Sequence, residues 1–229
     1  MLSIFRKKKK IPEYKGISIA ETEFAVVDTE LTGLNELRDT IIAIGGIKMK
    51  GKSIRMGEIF YRTIKPDKFV KKDSIMVHEI TPAELEACPE ITPVLREYLS
   101  FVKNSVIVGH CVSIDIAFLK KAIHRYLRQT YEPMAIDTFV IYRWLIHKGL
   151  LPENFINNNS LKDVALSLGI EPKELHDALA DAFITAQVFQ KLIPLLGDIK
   201  IYTTQELMDI GNPNISGYMG VEKKQTFQF

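Results

Sequence analysis

Acidic residues stand in several segments of the sequence that are otherwise apolar, at spacings that suit metal chemistry. Asp28 and Glu30 are two residues apart in the run FAVVDTE. The two-residue period of a strand places both carboxylates on one face of a sheet. Like charges this close need a cation, and carboxylate oxygens are the ligands that Mg²⁺ and Mn²⁺ prefer. The pair predicts a metal site, although a lone D-x-E also fits a turn cap at Asp28 and an exposed strand end at Glu30.

Two further aspartates lie where a sheet-based fold would bring them towards this pair. Asp115 is in GHCVSID, after the apolar run VIVGH (106–110) and before a helical segment. This position corresponds to the carboxyl end of a parallel strand, where α/β sheets bind ligands, although a helix N-cap also explains it. Asp181 lies in the apolar helical segment LHDALADAFITAQVF. An uncompensated charge is unfavourable there, so a partner such as a metal ion is expected.

A histidine stands at the start of the same helical segment. His176 is five residues before Asp181, so it can overhang a metal site without taking the aspartate's place on the helix. A neutral imidazole there can accept a proton from water, and a surface or capping histidine is the alternative. Asp177 shares roughly the face of Asp181, and its first-turn position favours an interaction with the helix dipole. The sequence therefore offers one candidate general base beside the candidate ligands.

The elements that must position these residues follow from hydrophobic periodicity. Three apolar, β-branched stretches between residues 24 and 65 are separated by short Gly-containing breaks, which predicts an antiparallel meander. Thr81-Pro82-Ala83-Glu84 and Thr92-Pro93 mark the starts of two helices. Beyond residue 105, short apolar strands alternate with helices, which indicates parallel strands joined by crossovers. The sequence predicts an α/β fold with the element order βββααβαβααα.

Length, charge and cysteine content narrow the functional classes. The 229 residues are 46% hydrophobic and 25% charged, which fits one globular domain with short tails. Residues 6–10 hold five of the 30 basic residues, so the rest has 25 basic against 28 acidic residues and is not a basic body that binds nucleic acid by charge alone. Cys88 and Cys111 have no zinc-site spacing and fit a cytoplasmic protein. No signal peptide and no 18-residue apolar run is evident, so we expect no membrane association.

Three motifs, in this order, resemble those of the DEDDh 3′→5′ exonucleases, a group that includes the proofreading epsilon subunit of bacterial DNA polymerase III. They are the D-x-E in DTELTGL, the aspartate in GHCVSID and the H-x4-D in HDALAD. The resemblance spans about Phe24 to Leu196 and includes VHEIT, MAIDT and NSLKDVALSLGI. It implies a ribonuclease H-like fold, in which helices flank a five-stranded mixed sheet of three antiparallel and two parallel strands.

The resemblance also implies roles for individual residues. Asp28, Glu30 and Asp181 match the metal-binding carboxylates. Asp115 matches the carboxylate that completes the site, and His176 matches the general base. A related branch carries Tyr-x3-Asp instead, but the residue four before Asp181 is an aspartate here, so this chain follows the histidine branch.

The expected reaction is hydrolysis at single-stranded DNA 3′ ends, in proofreading or repair. Two Mg²⁺ or Mn²⁺ ions about 3.5–4 Å apart would activate water and neutralise the leaving 3′ oxygen, releasing nucleoside 5′-monophosphates. The residues predicted to line the substrate site are Leu31, Thr32, Gly33 and His78. An RNA-trimming 3′→5′ exoribonuclease of the same fold is an alternative, which only contacts to the 2′-hydroxyl would distinguish. A catalytically silent interaction module is a third interpretation.

Three positions depart from the family pattern. Cys111 stands where asparagine is usual, Ile114 where phenylalanine is common, and Glu79 where VHEIT is more often written with glycine. None is a catalytic carboxylate. They lie in loops expected to border the substrate, so the family's substrate preference is not carried over to this chain.

We divide the chain into a basic N-terminal arm (1–23), an exonuclease domain (24–196) and a C-terminal extension (197–229). The last residues, KKQTFQF, resemble the Gln-x-x-x-Phe peptides by which replication proteins bind the sliding clamp. Gln225 and Phe229 are the candidate anchors, and a polymerase or clamp is the corresponding partner. A tail that binds nothing is the alternative. The lysine run of the N-terminal arm could attract nucleic acid, and a solvated arm that aids solubility is the alternative there.

Overall fold

A five-stranded mixed sheet forms the centre of the fold. This computed structural model describes residues 14, 16–66, 82–152, 160–172 and 177–214. The strands are β1 (Glu23–Leu31), β2 (Ile41–Lys50), β3 (Ser53–Thr63), β4 (Val106–Gly109) and β5 (Ala135–Asp137). Their spatial order is β3-β2-β1-β4-β5, with β1 to β3 antiparallel and with β4 parallel to both β1 and β5. The predicted α/β fold, with three antiparallel and two parallel strands flanked by helices, is confirmed.

Helices cover both faces of the sheet. Within the described ranges they are α1 (Pro82–Glu86), α2 (Ile91–Phe101), α3 (Ser113–Ala122), α4 (Thr138–His147), α5 (Leu161–Ser167), α6 (Ala178–Asp198) and α7 (Thr204–Ile210). The order follows the prediction as far as α6, and α7 is an addition to it. A capping box between Thr203 and Glu206 starts α7, and this T-x-x-E pattern is a signal that the sequence contained.

The two faces of β1 belong to two hydrophobic cores. Phe24 and Val26 face α6, and the Phe24 ring meets Phe189 edge-to-face at 5.1 Å between ring centroids. Ala25 and Val27 face the opposite way, into the core formed with α2 and α3. Because side chains alternate along a strand, each helix layer controls one set of positions. This alternation continues to the carboxyl end of β1, where charged side chains replace apolar ones.

Segments at both ends of the described chain pack onto this body. Ile19 is buried in a 3₁₀ turn (Ile19–Glu21), and Ser18 forms an isolated β-bridge with Thr203. Thr22 and Thr204 are buried and share a hydrogen bond between their hydroxyls. The packed body therefore extends beyond both ends of the predicted 24–196 domain.

One helix in the described residues, α6, is long and apolar enough to cross a membrane by length and composition alone. Its Val188, Phe189 and Leu192 are fully buried in the core beside the sheet. A core helix that is covered on several sides is expected to be apolar for this reason. The apolarity of α6 is thus explained by its packing on β1 and β2.

Candidate metal centre

Asp28 and Glu30 lie on the α6 face of β1, at the carboxyl end of the strand. Both follow the inward positions of Phe24 and Val26, and both side chains are partly exposed. With Asp181 they form a group in which one carboxylate oxygen from each residue lies within 4.8 Å of the others. The predicted convergence of these three side chains is therefore present in the fold. Three carboxylates at such separations form a donor set suited to a hard divalent cation.

Asp181 reaches the sheet because the first turn of α6 approaches β2 very closely. Gly45 pairs directly with Asp28 across the β1–β2 ladder. A Cβ at residue 45 would lie 2.1 Å from the carbonyl oxygen of Ala178, which is the first residue of α6. Only a glycine leaves room for the helix backbone at that point. This close approach places the first turn of α6, which carries Asp181, over the end of β1.

The start of α6 is fixed by Asp177. Its backbone is extended (φ −119°, ψ 125°), and its Oδ1 accepts hydrogen bonds from the backbone N–H groups of Leu179 and Ala180, each at 3.0 Å. Asp177 is thus the N-cap of the helix, which is more specific than the dipole interaction expected from its first-turn position. Its Oδ1 caps the end of the helix, while Asp181, one turn later, faces the other acids.

Asp115 takes a different position from the three clustered carboxylates. It lies in the first turn of α3, is buried at 6% exposure, and its Oδ1 accepts a hydrogen bond from the Thr29 hydroxyl at 2.6 Å. Thr29 points to the opposite face of β1 from its neighbours Asp28 and Glu30. Asp115 is therefore held beside the end of β1 from the α2 and α3 side, and it is not part of the compact group.

Asp137 is a buried carboxylate whose role the sequence analysis missed. It is 4% exposed and its oxygens accept backbone hydrogen bonds from Cys111 (3.1 Å), Val112 (3.0 Å) and Phe139 (2.9 Å). It thereby connects the end of β5 to the loop that leads from β4 to Asp115. Cys111 adopts a left-handed backbone (φ 53°) within that loop. Asp137 is at the carboxyl end of the parallel strand β5, and the loop that leads to Asp115 follows the carboxyl end of the parallel strand β4. The reasoning that identified Asp115 therefore applies to Asp137 as well.

Tyr61 of β3 is a second residue that the sequence analysis missed. It pairs with Gly45, which in turn pairs with Asp28, so the three residues form one row across the sheet. Burial raises the pKa of the Tyr61 hydroxyl, and a hydrogen bond with Asp177 together with the charge of Glu30 raises it further. The hydroxyl therefore stays protonated beside the acidic group. Position 61 gave no sequence signal, because only the register of β2 with β3 brings it there.

Burial, together with the crowding of carboxylates, makes their ionisation unfavourable in the absence of a cation. Burial, followed by the charges of Asp115, Asp181 and Glu30, holds the pKa of Asp28 well above its usual value. Burial and then the charges of Asp181 and Asp177 raise the pKa of Glu30 to about 7. A bound divalent cation would reverse this preference by favouring the charged forms.

Asp115 and Asp137 are protonated more readily than ordinary aspartates for a related reason. Burial raises the pKa of Asp115 to about 7, although the hydrogen bond from Thr29 opposes the shift. Burial likewise raises the pKa of Asp137 to about 6, opposed by the backbone hydrogen bonds that its carboxylate accepts. Burial thus disfavours the charged form of both carboxylates.

The predicted substrate-lining residues begin the loop between β1 and β2. Leu31 packs against the α2 and α3 core, and the Thr32 hydroxyl donates to Asp39 at 3.3 Å. Gly33 is at φ 153°, where a Cβ would lie 2.6 Å from an Asp39 carboxylate oxygen. Asp39 therefore organises this loop. His78, the fourth predicted lining residue, and the predicted general base His176 lie outside the described residues.

Comparison with known proteins identifies relatives of this chain. A family profile described as Exonuclease matches residues 25–189. The DNA polymerase III subunit epsilon of Aquifex aeolicus is 30% identical over 176 residues, which is 77% of this chain and 83% of that protein. The PolC-type DNA polymerase III of Thermotoga maritima is 32% identical over 190 residues, covering 83% of this chain but only 13% of the polymerase. The chain thus spans a small part of its PolC-type relatives.

Solved structures share the fold at low sequence identity. Escherichia coli exonuclease I in complex with a dT13 oligonucleotide has a TM-score of 0.68 and 19% identity, over 78% of this chain and 42% of that one. A 3′-exonuclease that recognises the histone mRNA stem-loop has a TM-score of 0.63 and 15% identity, over 78% of this chain and 67% of that one. The same fold therefore occurs in a nuclease bound to a dT13 oligonucleotide and in one that recognises an mRNA stem-loop.

Proposed function

Since the chain belongs to the exonuclease family, as its sequence motifs predicted, we propose that it removes nucleotides from the 3′ end of single-stranded DNA. The observation that supports this proposal most directly is the group formed by Asp28, Glu30 and Asp181, whose carboxylate oxygens lie within 4.8 Å of one another. A group of this kind is suited to binding the cations that phosphodiester hydrolysis requires. The relatives named epsilon and PolC belong to DNA polymerase III, which favours DNA as the substrate.

The residues present fit one or two divalent cations. Carboxylate oxygens are the preferred ligands of Mg²⁺ and Mn²⁺, and the mutual repulsion of these acids is relieved when a cation binds. Asp28, Glu30 and Asp181 would hold the metal directly, and Asp115 would complete the site from the other face of β1. When bound, Mg²⁺ or Mn²⁺ supplies a water of lowered pKa and neutralises charge on the phosphate and leaving oxygen. Two ions, as in the sequence-based prediction, remain our proposal.

The chain's own residues supply positioning and proton transfer. His176 is two residues before the first residue of α6, so it belongs to the segment that enters the helix carrying Asp181. We assign to it the removal of a proton from the attacking water, for which a neutral imidazole is suited near pH 7. Leu31, Thr32 and Gly33, with His78, are proposed to contact the terminal nucleotide, because this loop continues directly from Glu30.

Two labelled oligonucleotides test the activity and its direction. A 5′-labelled strand should shorten stepwise from its 3′ end in Mn²⁺, and a 3′-labelled strand should release labelled mononucleotide in the first turnover. EDTA should stop both reactions. Asp28→Asn should abolish them, whereas Asp209→Asn, an exposed carboxylate on α7, should leave the rate unchanged. Degradation that is insensitive to EDTA, or an Asp28→Asn protein with normal activity, would show that the proposed function is wrong.

RNA is the substrate that must be compared with DNA. A structural neighbour, a 3′-exonuclease, recognises a histone mRNA stem-loop, and the catalytic carboxylates alone do not separate the two substrates. Matched DNA and RNA strands of one sequence should be assayed side by side, with kcat/KM as the measured quantity. A preference for DNA supports proofreading or repair. A preference for RNA would mean that RNA, and not DNA, is the substrate, while the proposed 3′→5′ exonuclease reaction would be unchanged.

We also retain the proposal that the C-terminal residues Gln225 to Phe229 bind a sliding clamp, with a DNA polymerase as an associated partner in a cytoplasmic replication or repair complex. These residues lie outside the described part of the chain, and the proposal rests on their Gln-x-x-x-Phe spacing. Deletion of residues 225–229 should abolish clamp binding in a pulldown with purified proteins while exonuclease activity persists. Equal clamp binding before and after deletion would remove this assignment.

A further inference from the structure

Thr29 lies between two of the candidate metal ligands in the sequence, and its side chain points to the opposite face of the sheet. Asp28 and Glu30 meet Asp181 on the α6 face of β1. Because successive side chains alternate along a strand, Thr29 faces α2 and α3. Thr29 is 9% exposed, and its hydroxyl donates a hydrogen bond to Oδ1 of Asp115 at 2.6 Å. The residue that separates two candidate ligands therefore contacts a third.

The contact with Asp115 lies beyond the point where β4 pairs with β1. The parallel ladder of the two strands ends at Val26 and Val108, three residues before Thr29. The chain then leaves β4, and Asp115 meets β1 from the first turn of α3. Burial raises the pKa of Asp115, and hydrogen bonds from the hydroxyl and the backbone of Thr29 oppose that shift. Thr29 thus holds the carboxylate at the end of β1, where no pairing with β4 fixes the strand.

Two restraints act on Asp115, and they differ in what they hold. Asp137 accepts hydrogen bonds from the backbone of Cys111 and Val112, so it fixes the loop that leads into α3. The Thr29 hydroxyl instead fixes the Asp115 carboxylate itself. Only the second restraint ties this carboxylate to the strand that carries Asp28 and Glu30.

The hydrogen bond from Thr29 is compatible with metal binding by Asp115. A carboxylate offers several lone pairs on its two oxygens, and carboxylates that bind metals are commonly hydrogen-bonded to neighbouring groups. Burial raises the pKa of Asp28, and the charge of Asp115 is the largest of the charge effects that raise it further. The two carboxylates therefore interact across the strand, although Asp115 lies outside the compact group.

We propose that Thr29 is a positioning residue that sets the distance and orientation of the Asp115 carboxylate relative to Asp28 and Glu30. This inference rests on the proposed function, because it takes the bound ions to be the divalent cations of that site. Since Thr29 is part of the same strand as both ligands, acids on the two faces of β1 keep one mutual arrangement. A hydroxyl that only satisfied a buried acid would affect stability and leave metal affinity unchanged.

Mn²⁺ binding to the full chain, measured by calorimetry without nucleic acid, tests the positioning role. Thr29→Val keeps the shape of the side chain and removes the hydroxyl, and it should weaken Mn²⁺ binding by about 10–100-fold. Thr29→Ser keeps the hydroxyl and should bind Mn²⁺ like the parent protein. If melting curves show that the valine variant does not fold, Thr29→Ala takes its place.

Thr204→Val is the matched control. It removes a buried hydroxyl that is hydrogen-bonded to Thr22, which directly precedes β1 at the other end of the strand. The control should lower the melting temperature and leave Mn²⁺ binding unchanged. An equal loss of Mn²⁺ affinity in the control and in Thr29→Val would show that the effect is a general loss of stability.

A double-mutant cycle shows whether Thr29 acts through Asp115. Asp115→Asn alone should weaken Mn²⁺ binding, and the addition of Thr29→Val should cause little further loss. Additive losses would overturn the positioning role, as would a parent-like Mn²⁺ affinity in either single variant.

The same proteins separate this inference from the proposed function. If the parent protein shortens an oligonucleotide from its 3′ end but Thr29→Val binds Mn²⁺ like the parent, the positioning role is wrong and the proposed function stands. If Mn²⁺ binding depends on Thr29 and Asp115 as expected but the parent protein does not shorten the strand, the proposed function is wrong and the positioning role stands.

Discussion

Gly45 of β2 lies against the backbone of Ala178, so closely that a Cβ on the glycine would be 2.1 Å from the alanine carbonyl oxygen. The sheet and the first turn of α6 touch at this point through backbone alone. Gly45 also pairs with Asp28, and Asp181 follows Ala178 by three residues. The separation between two of the metal-binding candidates is therefore set by the absence of a side chain at residue 45.

Gly45→Ala is expected to displace the start of α6 and so move Asp181 away from Asp28 and Glu30. Because the obstructing atoms are backbone, relaxation requires movement of the helix. We expect a lower melting temperature and an increased Mn²⁺ concentration for half-maximal nuclease activity, with partial recovery in excess Mn²⁺. The measurements are thermal unfolding and a metal titration of activity.

Gly46→Ala is the matched control. A Cβ there would first meet the Phe101 ring on the opposite face of the sheet, at 2.8 Å, and a side chain can rotate. It should alter the metal dependence much less than Gly45→Ala. Equal metal titrations for the two variants would contradict the positioning role of Gly45.

The metal-free protein is expected to become less stable as pH rises through neutrality. Burial and neighbouring acids raise the pKa of Glu30 from 4.5 to about 7, so the folded state holds a proton that the unfolded state has released between these values. The stabilisation is complete below pH 4.5 and is lost as pH rises through about 7. Thermal unfolding in EDTA at pH 5.5 and pH 8 measures the difference, and Mn²⁺ should restore stability at the higher pH.

Asp28→Asn provides the comparison for that experiment. It removes a carboxyl group whose own pKa is raised by burial and by the neighbouring acids, so the decrease in melting temperature between pH 5.5 and pH 8 should be smaller than in the parent protein. A parent protein that is more stable at pH 8 than at pH 5.5 without metal would show that the carboxylates do not repel one another in the fold.

Asp137→Asn should destabilise the loop that precedes Asp115. One carboxylate oxygen accepts from Cys111 and Phe139 and the other from Val112. An amide can replace one oxygen only, so its N–H₂ would face a backbone donor. We expect a loss of about 1–3 kcal/mol, which lowers the melting temperature by several degrees at ~2–4 °C per kcal/mol in a domain of this size.

The control for Asp137 is Asp163→Asn, a partly exposed side chain in the first turn of α5 that contacts Ser160. It should change the melting temperature only slightly. Nuclease activity should decrease in Asp137→Asn and not in the control, because only the former loosens the segment before α3. A melting temperature identical to that of the parent would exclude this role for Asp137.

His176→Ala should lower kcat by about 10²–10⁴-fold, as expected for loss of a general base. The Mn²⁺ titration should be unchanged, since the residue is not assigned as a ligand, and the decrease in kcat at acidic pH should become less steep. His147→Ala, an exposed histidine at the end of α4, is the control and should retain normal activity. A strong effect on metal affinity with an unchanged pH profile would reassign His176 to metal binding.

The sequence by itself determined the strands and most of the helices, because these depend on local periodicity and capping. The position of Asp28 and Glu30 on one face of β1 was also determined locally, by the two-residue repeat of the strand. The carboxyl end of a parallel strand, read from VIVGH, placed Asp115 near them. These features use interactions between residues that are close in the chain, so their signals are present in short windows of sequence.

Only the tertiary structure decided how the remaining parts meet. Gly45 beneath Ala178, Tyr61 beside Asp177, and Thr29 on Asp115 are contacts between distant segments, which depend on strand register and helix placement. The division of the acids into a cluster on one face of β1 and Asp115 on the other has the same origin. Lys121 of α3 also donates a hydrogen bond to the backbone of Asp39 in the β1–β2 loop, and no pattern within either segment specifies that contact.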